Sequence, residues 1–398
     1  MDSEIVITGM GIISSEGIGK FNFSQGLYSS TRKLSQFRTS EGEEFLYVGI
    51  DEFNLQPFLG ETRTRGLDRP SILGICATKL ALEDAGIDGD LLRRMGYIGG
   101  NAFGSLSSIT EFTKTIIAKG PMATKPLSFQ NVVMNSPASR VNIHYGLNAF
   151  SATITNGYTS SVDALAYGVN RLKNGDEECV CVGCVEDVNE DILKGFKVSG
   201  CLAKESSIVA PFDKNSNGVY LGEAAVVFIL EKITHAMSRN AKVLAKVNGF
   251  GMCFDTQSYN GYGTESMEYA MSDAIKNSKT TKTDVDLLVL NANGNPRLDK
   301  REAMAIKNIF EDKLPSMYSV KGVYGDSYGA SGAVSIAAGI VSMDYNAVPP
   351  NKSFSSCWLS EMDKSVPTIC LEKSINSILV NSFDPAGNCS CVVISRFS

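Results

Sequence analysis

Short apolar runs alternate with longer amphipathic segments along most of this chain. The longer segments carry apolar residues three and four positions apart, which predicts amphipathic helices at "ILGICATKLALEDAG" and "SSVDALAYGVNRLKNG". Further helices are predicted at "SMEYAMSDAIKNS", "KREAMAIKNIF" and "GAVSIAAGIVSM". The short runs are rich in β-branched residues and predict strands at residues 5–8, 96–100, 152–155, 179–182, 225–230, 243–247, 287–290, 378–381 and 391–395.

This alternation indicates an α/β fold in which helices cover mostly parallel sheets. Several strands, such as "CVCVGCV" and "LLVL", are apolar on both faces, as expected when both sides of a sheet are covered. The chain also repeats itself in outline, because "IVITGMG" resembles "LAKVNGFG", and the Asn-Gly loop of "TITNGYTSS" resembles that of "LVLNANGNPRLDKREA". We therefore predict duplicated halves, residues 1–240 and 241–398, that pack as one unit.

Composition argues against several classes of function. The 398 residues are 43% hydrophobic and 20% charged, and a net charge of -6 without a basic run argues against nucleic-acid binding. No apolar run reaches the roughly 18 residues of a membrane span. The acidic start of the sequence is unlike a signal peptide, so we expect a cytoplasmic protein with no membrane contact. Its ten cysteines are then expected to be unpaired.

Three short motifs have simple structural interpretations. "GDSYG" fits the G-x-S-x-G nucleophile elbow, but no histidine follows Ser327, so a packing turn of small residues is favoured. "GMGIIS" lacks the third glycine of a dinucleotide-binding turn. "CVCVGC" places Cys179 and Cys181 on one strand face and Cys184 on the other, which favours buried core cysteines over a metal site.

Histidine, the usual general base, is scarce in this sequence. The two histidines, His144 and His235, stand alone without neighbouring catalytic residue types, and both are predicted to be structural or surface residues. General acid–base chemistry therefore has few candidates.

Five segments together resemble the β-ketoacyl synthase family of the thiolase fold, over essentially the whole chain. They are the opening "IVITGMGIIS", then "PFDKNSNGVYLGEAA", "NANGNPRLDKREAMAI", "KGVYGDSYGASGAV" and the closing "NSFDPAGNCSCVVIS". The second is similar to the family pattern PFDxxxxGxxxGEGA, and the last to NSFGFGGTN. The resemblance implies a thiolase-like fold whose duplicated halves form five layers in the order αβαβα.

The resemblance also implies where a catalytic site would lie. In the family, a cysteine before a long helix is acylated, and two histidines assist decarboxylation of malonyl on an acyl carrier protein. The cysteine position corresponds to Tyr158, and the two histidine positions correspond to Asn293 and Asp326. The family's lysine is retained as Lys321. A closing-loop phenylalanine that gives its N–H to the oxyanion hole corresponds to Pro385, which has no N–H.

These departures together imply a site that no longer condenses acyl groups. A phenol with a pKa near 10 is ionised in about one molecule per thousand at pH 7. Asn293 cannot relay protons, and Asp326 would repel a malonyl carboxylate and is expected to pair with Lys321. Losing one oxyanion donor alone costs about 100- to 1000-fold in rate. We therefore expect a degenerate pocket that retains Tyr158, Asn293 and Lys321.

Type II polyketide systems contain an inactive homologue of this kind, the chain length factor. It pairs with an active ketosynthase, and its side chains limit the length of the chain that grows into a tunnel at their interface. The sequence resembles such a subunit of a polyketide or polyene synthase. The resemblance implies two partners, a catalytic ketosynthase in a heterodimer and an acyl carrier protein. It implies no directly bound cofactor or metal, and a phosphopantetheine-linked acyl chain delivered through the partner.

The family dimer is built around the strand that leads into the nucleophile turn. The resemblance places it here at Phe150, Ser151, Ala152, Thr153, Ile154 and Thr155, and places tunnel-closing candidates in residues 128–141. Two alternatives stay open. One is a divergent β-ketoacyl synthase or acyltransferase with Tyr158, Ser160 or Ser161 as acceptor. The other is a stand-alone ligand-binding homodimer.

Overall fold

The apolar runs of this chain form strands, and the amphipathic segments form helices that cover them. A computed structural model describes residues 4–60, 64, 66–175, 177–204, 209–257 and 263–397. Its strands are β1 (Ile5–Ser14), β2 (Gly17–Ile18), β3 (Ser35–Arg38), β4 (Glu44–Tyr47), β5 (Gly96–Gly100), β6 (Ser151–Ile154), β7 (Cys179–Glu186), β8 (Ala224–Lys232), β9 (Ala245–Phe254), β10 (Leu287–Val289), β11 (Ser316–Tyr318), β12 (Ala347–Val348), β13 (Leu371–Glu372), β14 (Ser377–Phe383) and β15 (Asn388–Ser395).

The helices lie between these strands in the chain. They are α1 (Gly19–Ser29), α2 (Gln56–Leu59), α3 (Arg69–Ala85), α4 (Asp90–Arg93), α5 (Leu106–Lys119), α6 (Pro126–Phe129), α7 (Ser136–Tyr145), α8 (Ser160–Asn174), α9 (Glu190–Val198), α10 (Ile233–Ser238), α11 (Glu265–Asn277), α12 (Pro296–Phe310), α13 (Lys321–Tyr324) and α14 (Ser331–Tyr345). Each of the five predicted helices and nine predicted strands has a counterpart here, with ends shifted by a few residues.

One continuous sheet carries the order β11-β10-β14-β15-β9-β1-β8-β7-β5-β6, with β2 paired to β1. The expectation of mostly parallel sheets is wrong. Strands β10, β11 and β14 are mutually parallel, as are β5, β6 and β7, whereas the five pairings in the middle of the order are antiparallel. The error has a simple cause, because a strand buried on both faces has the same apolar pattern in either direction.

The two halves of the sheet have the same topology. In chain order, β1, β5, β6, β7 and β8 occupy the same relative places as β9, β10, β11, β14 and β15. The halves meet where β1 and β9 pair antiparallel over three residues each. This repeat agrees with a duplication, and the boundary after residue 240 stays a prediction.

Paired glycines bring one helix close to the first strand of each half. A Cβ atom at Gly11 of β1 would lie 2.0 Å from the Ala77 oxygen of α3, and one at Gly251 of β9 would lie 2.0 Å from the Ala270 oxygen of α11. The resemblance of "GMG" to "GFG" therefore reflects the same close helix–strand packing in both halves.

Three apolar clusters separate the layers. The inner one holds α8 and α14, represented by Val169 and Ile336, between strands of both halves. The two outer ones pack α3 against the first half, through Leu73, and α11 and α12 against the second, through Met271 and Ile306. The two halves of the one sheet thus form two separate layers, with α8 and α14 between them, which is the predicted layer order helix, sheet, helix, sheet, helix.

Candidate functional site

The turn between β6 and α8 presents Tyr158 at the start of a buried helix. Residues Gly157–Thr159 form a single 3₁₀ turn, and Gly157 has a φ of +62°, which glycine adopts without strain. Tyr158 is buried, with 8% of its surface exposed. A bulky phenol therefore stands directly before α8, where the first backbone N–H groups of the helix have no partner within the helix.

The loop between β14 and β15 closes over this turn. The backbone N–H of Tyr158 donates to Oδ2 of Asp384 over 2.7 Å, and the Ser382 hydroxyl donates to the Tyr158 carbonyl over 2.9 Å. The next residue, Pro385, has no N–H to offer. The backbone groups of Tyr158 are thus bonded to the end of β14 and to the loop that follows it.

The other predicted pocket residues form a buried hydrogen-bonded group. The Asn293 amide donates to Oδ2 of Asp326 over 2.6 Å, and Nζ of Lys321 lies 3.5 Å from Oδ1 of Asp326. Lys321 also donates to the Asn291 side-chain oxygen over 3.2 Å, and its Nζ lies 5.7 Å from the centre of the Tyr158 ring. The expected pairing of Asp326 with Lys321 is present. Their correspondence to the family's catalytic positions stays a prediction.

Hydrogen bonds from the chain satisfy Asp326 further. Its Oδ1 accepts the Ser331 hydroxyl over 2.7 Å and the Tyr328 N–H over 3.1 Å. Asp326 is fully buried and Lys321 is nearly so. Buried polar groups with this many internal partners are held in place by the chain.

Aromatic side chains fill the space beside Tyr158. The Tyr328 ring lies 6.4 Å from the Tyr158 ring, 5.1 Å from that of Phe103 and 5.4 Å from that of Phe196. Tyr328 has a φ of +44°, an uncommon conformation for a residue with a side chain, and it is fully buried. The surrounding structure therefore holds this ring in place over the turn.

The electrostatics disfavour a nucleophilic phenolate at this turn. Burial, followed by the negative charges of Asp326 and Asp384, raises the pKa of Tyr158 well above its usual value. Burial also raises the pKa of Tyr328, with Glu186 as the largest charged contributor. Because both phenols stay protonated at neutral pH, Tyr158 lacks the anionic form that acyl transfer would need.

The sequence also offered Ser160 and Ser161 as acyl acceptors, and both hydroxyl groups are engaged in internal hydrogen bonds. The Ser160 hydroxyl donates to the Gly157 carbonyl over 2.6 Å, and Ser161 Oγ accepts the Ala333 N–H over 3.1 Å. Both serines are buried. They serve as internal hydrogen-bonding groups at the start of α8.

The histidines and core cysteines occupy the structural roles predicted for them. His144 packs edge-on against Tyr145 on α7, and His235 Nδ1 lies 2.6 Å from the Glu231 carboxylate on β8. The cysteines of β7 are buried. Among the residues that the structure describes, no three His, Cys, Asp or Glu side chains are grouped to hold a metal.

Several residues of this site escaped the sequence prediction. Asn291 and Tyr328 carried no signal, since each is an ordinary polar or aromatic residue in a loop. Asp384 did carry one, because "NSFDPAGN" differs from the family's NSFGFGGT at residues 384, 385, 386 and 388, and only Pro385 was considered. A groove of about 630 Å³ opens beside this loop, lined by Cys201, Asn295, Pro385 and neighbouring residues.

The predicted dimer strand lies at one end of the sheet. It corresponds to β6, which excludes Phe150 and Thr155, and within the described residues β6 pairs with β5 alone. Helix α7 contacts β6. Helix α5, none of whose 14 residues is buried, contacts α6 through the rings of Phe112 and Phe129. Large apolar side chains are exposed nearby, including Ile117 at 80%, Ile143 at 74% and Phe129 at 63%. We call β6 with α5, α6 and α7 the edge face.

Two models of known protein families match most of the chain. A profile described as "Beta-ketoacyl synthase, N-terminal domain" matches residues 2–236, and one described as "Beta-ketoacyl synthase, C-terminal domain" matches residues 244–355. The chain belongs to the beta-ketoacyl synthase family. In the described residues, this family member has no helix both long and apolar enough to cross a membrane.

Relatives in the beta-ketoacyl synthase family match over their full length. A "3-oxoacyl-[acyl-carrier-protein] synthase 2" of Coxiella burnetii is 24% identical, covering 98% of both chains. The "Granaticin polyketide putative beta-ketoacyl synthase 1" of Streptomyces violaceoruber is 25% identical, covering 100% of this chain and 99% of that protein. Sequence relatives thus include a protein named as a 3-oxoacyl-[acyl-carrier-protein] synthase and one named as a putative polyketide beta-ketoacyl synthase.

Solved structures show the same fold at lower identity. One titled "The ishigamide ketosynthase/chain length factor" has a TM-score of 0.91 with 22% identity, covering 99% of each chain. Another, a type II PKS acyl-carrier protein in complex with its ketosynthase bound to the hexaketide, has a TM-score of 0.87 with 19% identity, covering 100% of each chain. These similarities establish the fold of this chain.

Proposed function

We propose that this chain is a non-catalytic chain length factor that pairs with an active ketosynthase in a type II polyketide or polyene synthase. The observation that carries the proposal is the closed group of Asn293, Asp326 and Lys321 beside Tyr158. These side chains bond to one another and to the backbone, and the turn offers a protonated phenol in place of a thiol. A family member with this pocket needs a role other than condensation.

The edge face supports the pairing. None of the 14 residues of α5 is buried, which leaves apolar side chains exposed. Within the described residues β6 has one neighbouring strand, which leaves backbone hydrogen-bonding groups on its other side without a strand partner. Such surfaces are typical of protein–protein interfaces. A ketosynthase of the same fold would present an equivalent strand, and the two sheets would continue across the dimer.

The substrate of the complex would be a phosphopantetheine-linked acyl chain on an acyl carrier protein. In this proposal the ketosynthase binds and extends that chain, and the present subunit shapes the tunnel with side chains of the edge face. Residues 128–141 lie there, and Val133 is exposed in the isolated chain. The proposal assigns no acyl-transfer step to this subunit.

The test is co-expression with active ketosynthases encoded in the same genome, followed by light scattering of the purified material. We expect a one-to-one complex. Ile117→Glu on α5 should prevent its formation, whereas Met237→Glu on α10, also at an exposed apolar position, should not. A stable homodimer that ignores every ketosynthase would refute the pairing, and a covalent acyl adduct on this chain would favour an altered acyltransferase.

A further inference from the structure

The N–H of Tyr158 stands at a place where proteins bind anions. It precedes α8, a helix of 15 residues, and N–H groups at such a start have no partner within the helix. Here that N–H has a partner from 226 residues further along the chain, the carboxylate of Asp384. An anion supplied by the protein itself therefore occupies this donor.

The carboxylate is held in place from several sides. Its Oδ2 accepts the Tyr158 N–H over 2.7 Å, and its Oδ1 accepts the Ala386 N–H over 2.6 Å. The Asp384 N–H donates to the Asn388 carbonyl over 2.8 Å, and the residue is 9% exposed. A Cβ atom on Gly157 would lie 2.0 Å from Oδ2, so the turn accommodates this contact only because residue 157 is glycine.

We propose that Asp384 is a positioning residue that keeps this pocket closed to acyl groups, whatever side chain stands at position 158. An acyl-transfer transition state carries a developing oxyanion, which needs N–H donors at about 2.7–3.1 Å. Asp384 already accepts the hydrogen bond of the Tyr158 N–H and places a negative charge where the oxyanion would form. The next residue is a proline, which has no N–H to replace that donor. The inference rests on the proposed loss of condensation and is independent of any pairing with a ketosynthase.

The test restores a thiol and then removes the carboxylate. Tyr158→Cys is made alone and combined with Asp384→Gly, and each protein is incubated with the acetyl thioester of N-acetylcysteamine, in whatever assembly it purifies. In the reaction, the thiolate sulfur at position 158 bonds to the carbonyl carbon, and the bond from that carbon to N-acetylcysteamine sulfur breaks. The departing thiolate takes up the proton that the attacking thiol released. Peptide mapping separates acetylation at residue 158 from that at the ten native cysteines.

We expect Tyr158→Cys alone to acetylate no faster than the buried native thiols. Adding Asp384→Gly should raise the rate at position 158 about tenfold or more, because one oxyanion donor is worth about 100- to 1000-fold. Asp384→Asn, which keeps the size and the acceptor but not the charge, should give a smaller increase. Asp163→Asn is the matched control, because Asp163 accepts from Thr159 and Asn156 at the same turn without touching the Tyr158 N–H.

Two results would overturn the inference in proteins that melt cooperatively. One is a single variant that already acetylates as fast as the double variants, and the other is an Asp384→Asn combination no faster than the single variant. If Asp384→Gly does not fold, the comparison with Asp384→Asn decides. A negative result leaves the heterodimer untouched, because that proposal is tested by complex formation.

Discussion

The buried pair of Lys321 and Asp326 allows a sharp test of whether the pocket is structural. Asp326→Asn preserves the size of the side chain and removes its charge. Lys321 then keeps one hydrogen bond, to the Asn291 oxygen at 3.2 Å, and stays buried without its carboxylate partner. Removing one partner of a buried ion pair costs about 3–5 kcal/mol, and we expect a value in this range.

Removing the lysine instead of the aspartate should lower the free energy of unfolding by less. In Lys321→Met, Asp326 keeps its bonds from the Asn293 amide, the Ser331 hydroxyl and the Tyr328 N–H. We therefore expect a loss near the lower end of the same range, about 3 kcal/mol, because three donors still satisfy the carboxylate. The order, with Asp326→Asn worse than Lys321→Met, follows from the count of remaining partners.

The assay is guanidinium unfolding of both single variants and the double variant, followed by circular dichroism. A double-mutant cycle isolates the coupling between the two residues, and we expect about 2 kcal/mol or more. Additive effects, or an Asp326→Asn variant within about 0.5 kcal/mol of the parent, would refute the view that this pair holds the pocket together.

Three further outcomes are expected. The free energy of unfolding should fall as the pH rises from about 5 to about 8, because burial raises the pKa of Glu186 to about 8 and that of Glu302 to about 7. The folded protein thus favours their protonated forms, so melting temperatures that rise over this pH range would contradict the assignment. Gly329→Ala places a methyl group 2.4 Å from a backbone nitrogen and should cost about 1–3 kcal/mol in thermal unfolding, whereas Gly195→Ala on α9, in open space, should be neutral or stabilising. In the ketosynthase complex, Phe129→Ala should lengthen the polyketide detected by mass spectrometry, whereas unchanged products would place the end of the tunnel elsewhere.

The interior of the fold was predictable because its pattern is local. Runs such as β7 and β8 are apolar throughout, and helices such as α3 show clear periodicity, so their positions follow from neighbouring residues. Strand direction was not predictable, since partners in the sheet come from distant parts of the chain. The hairpin of β3 and β4 was missed because each strand has only four residues and none of them is buried.

The candidate site also contains residues that a local pattern predicts and a residue whose role depends on a distant contact. Tyr158, Asn293, Asp326 and Lys321 were proposed as site residues because each stands in a recognisable segment. The structure brings them together, and their role stays a prediction. The role of Asp384 depends on a loop that meets α8 across 226 residues of chain, and no local pattern specifies that contact. The substitution itself was visible in the sequence, but its bonding partner was not.

The exposed helix α5 has a consequence for how a cell could maintain this protein. If the proposed complex covers the edge face, the chain gains stability from its partner by mass action, and its folded lifetime depends on the supply of that partner. Copies made in excess would present Ile117 and its neighbours to proteases and to one another. Balanced synthesis of the two chains would then be a physical requirement, and any surplus of this one would be removed by degradation.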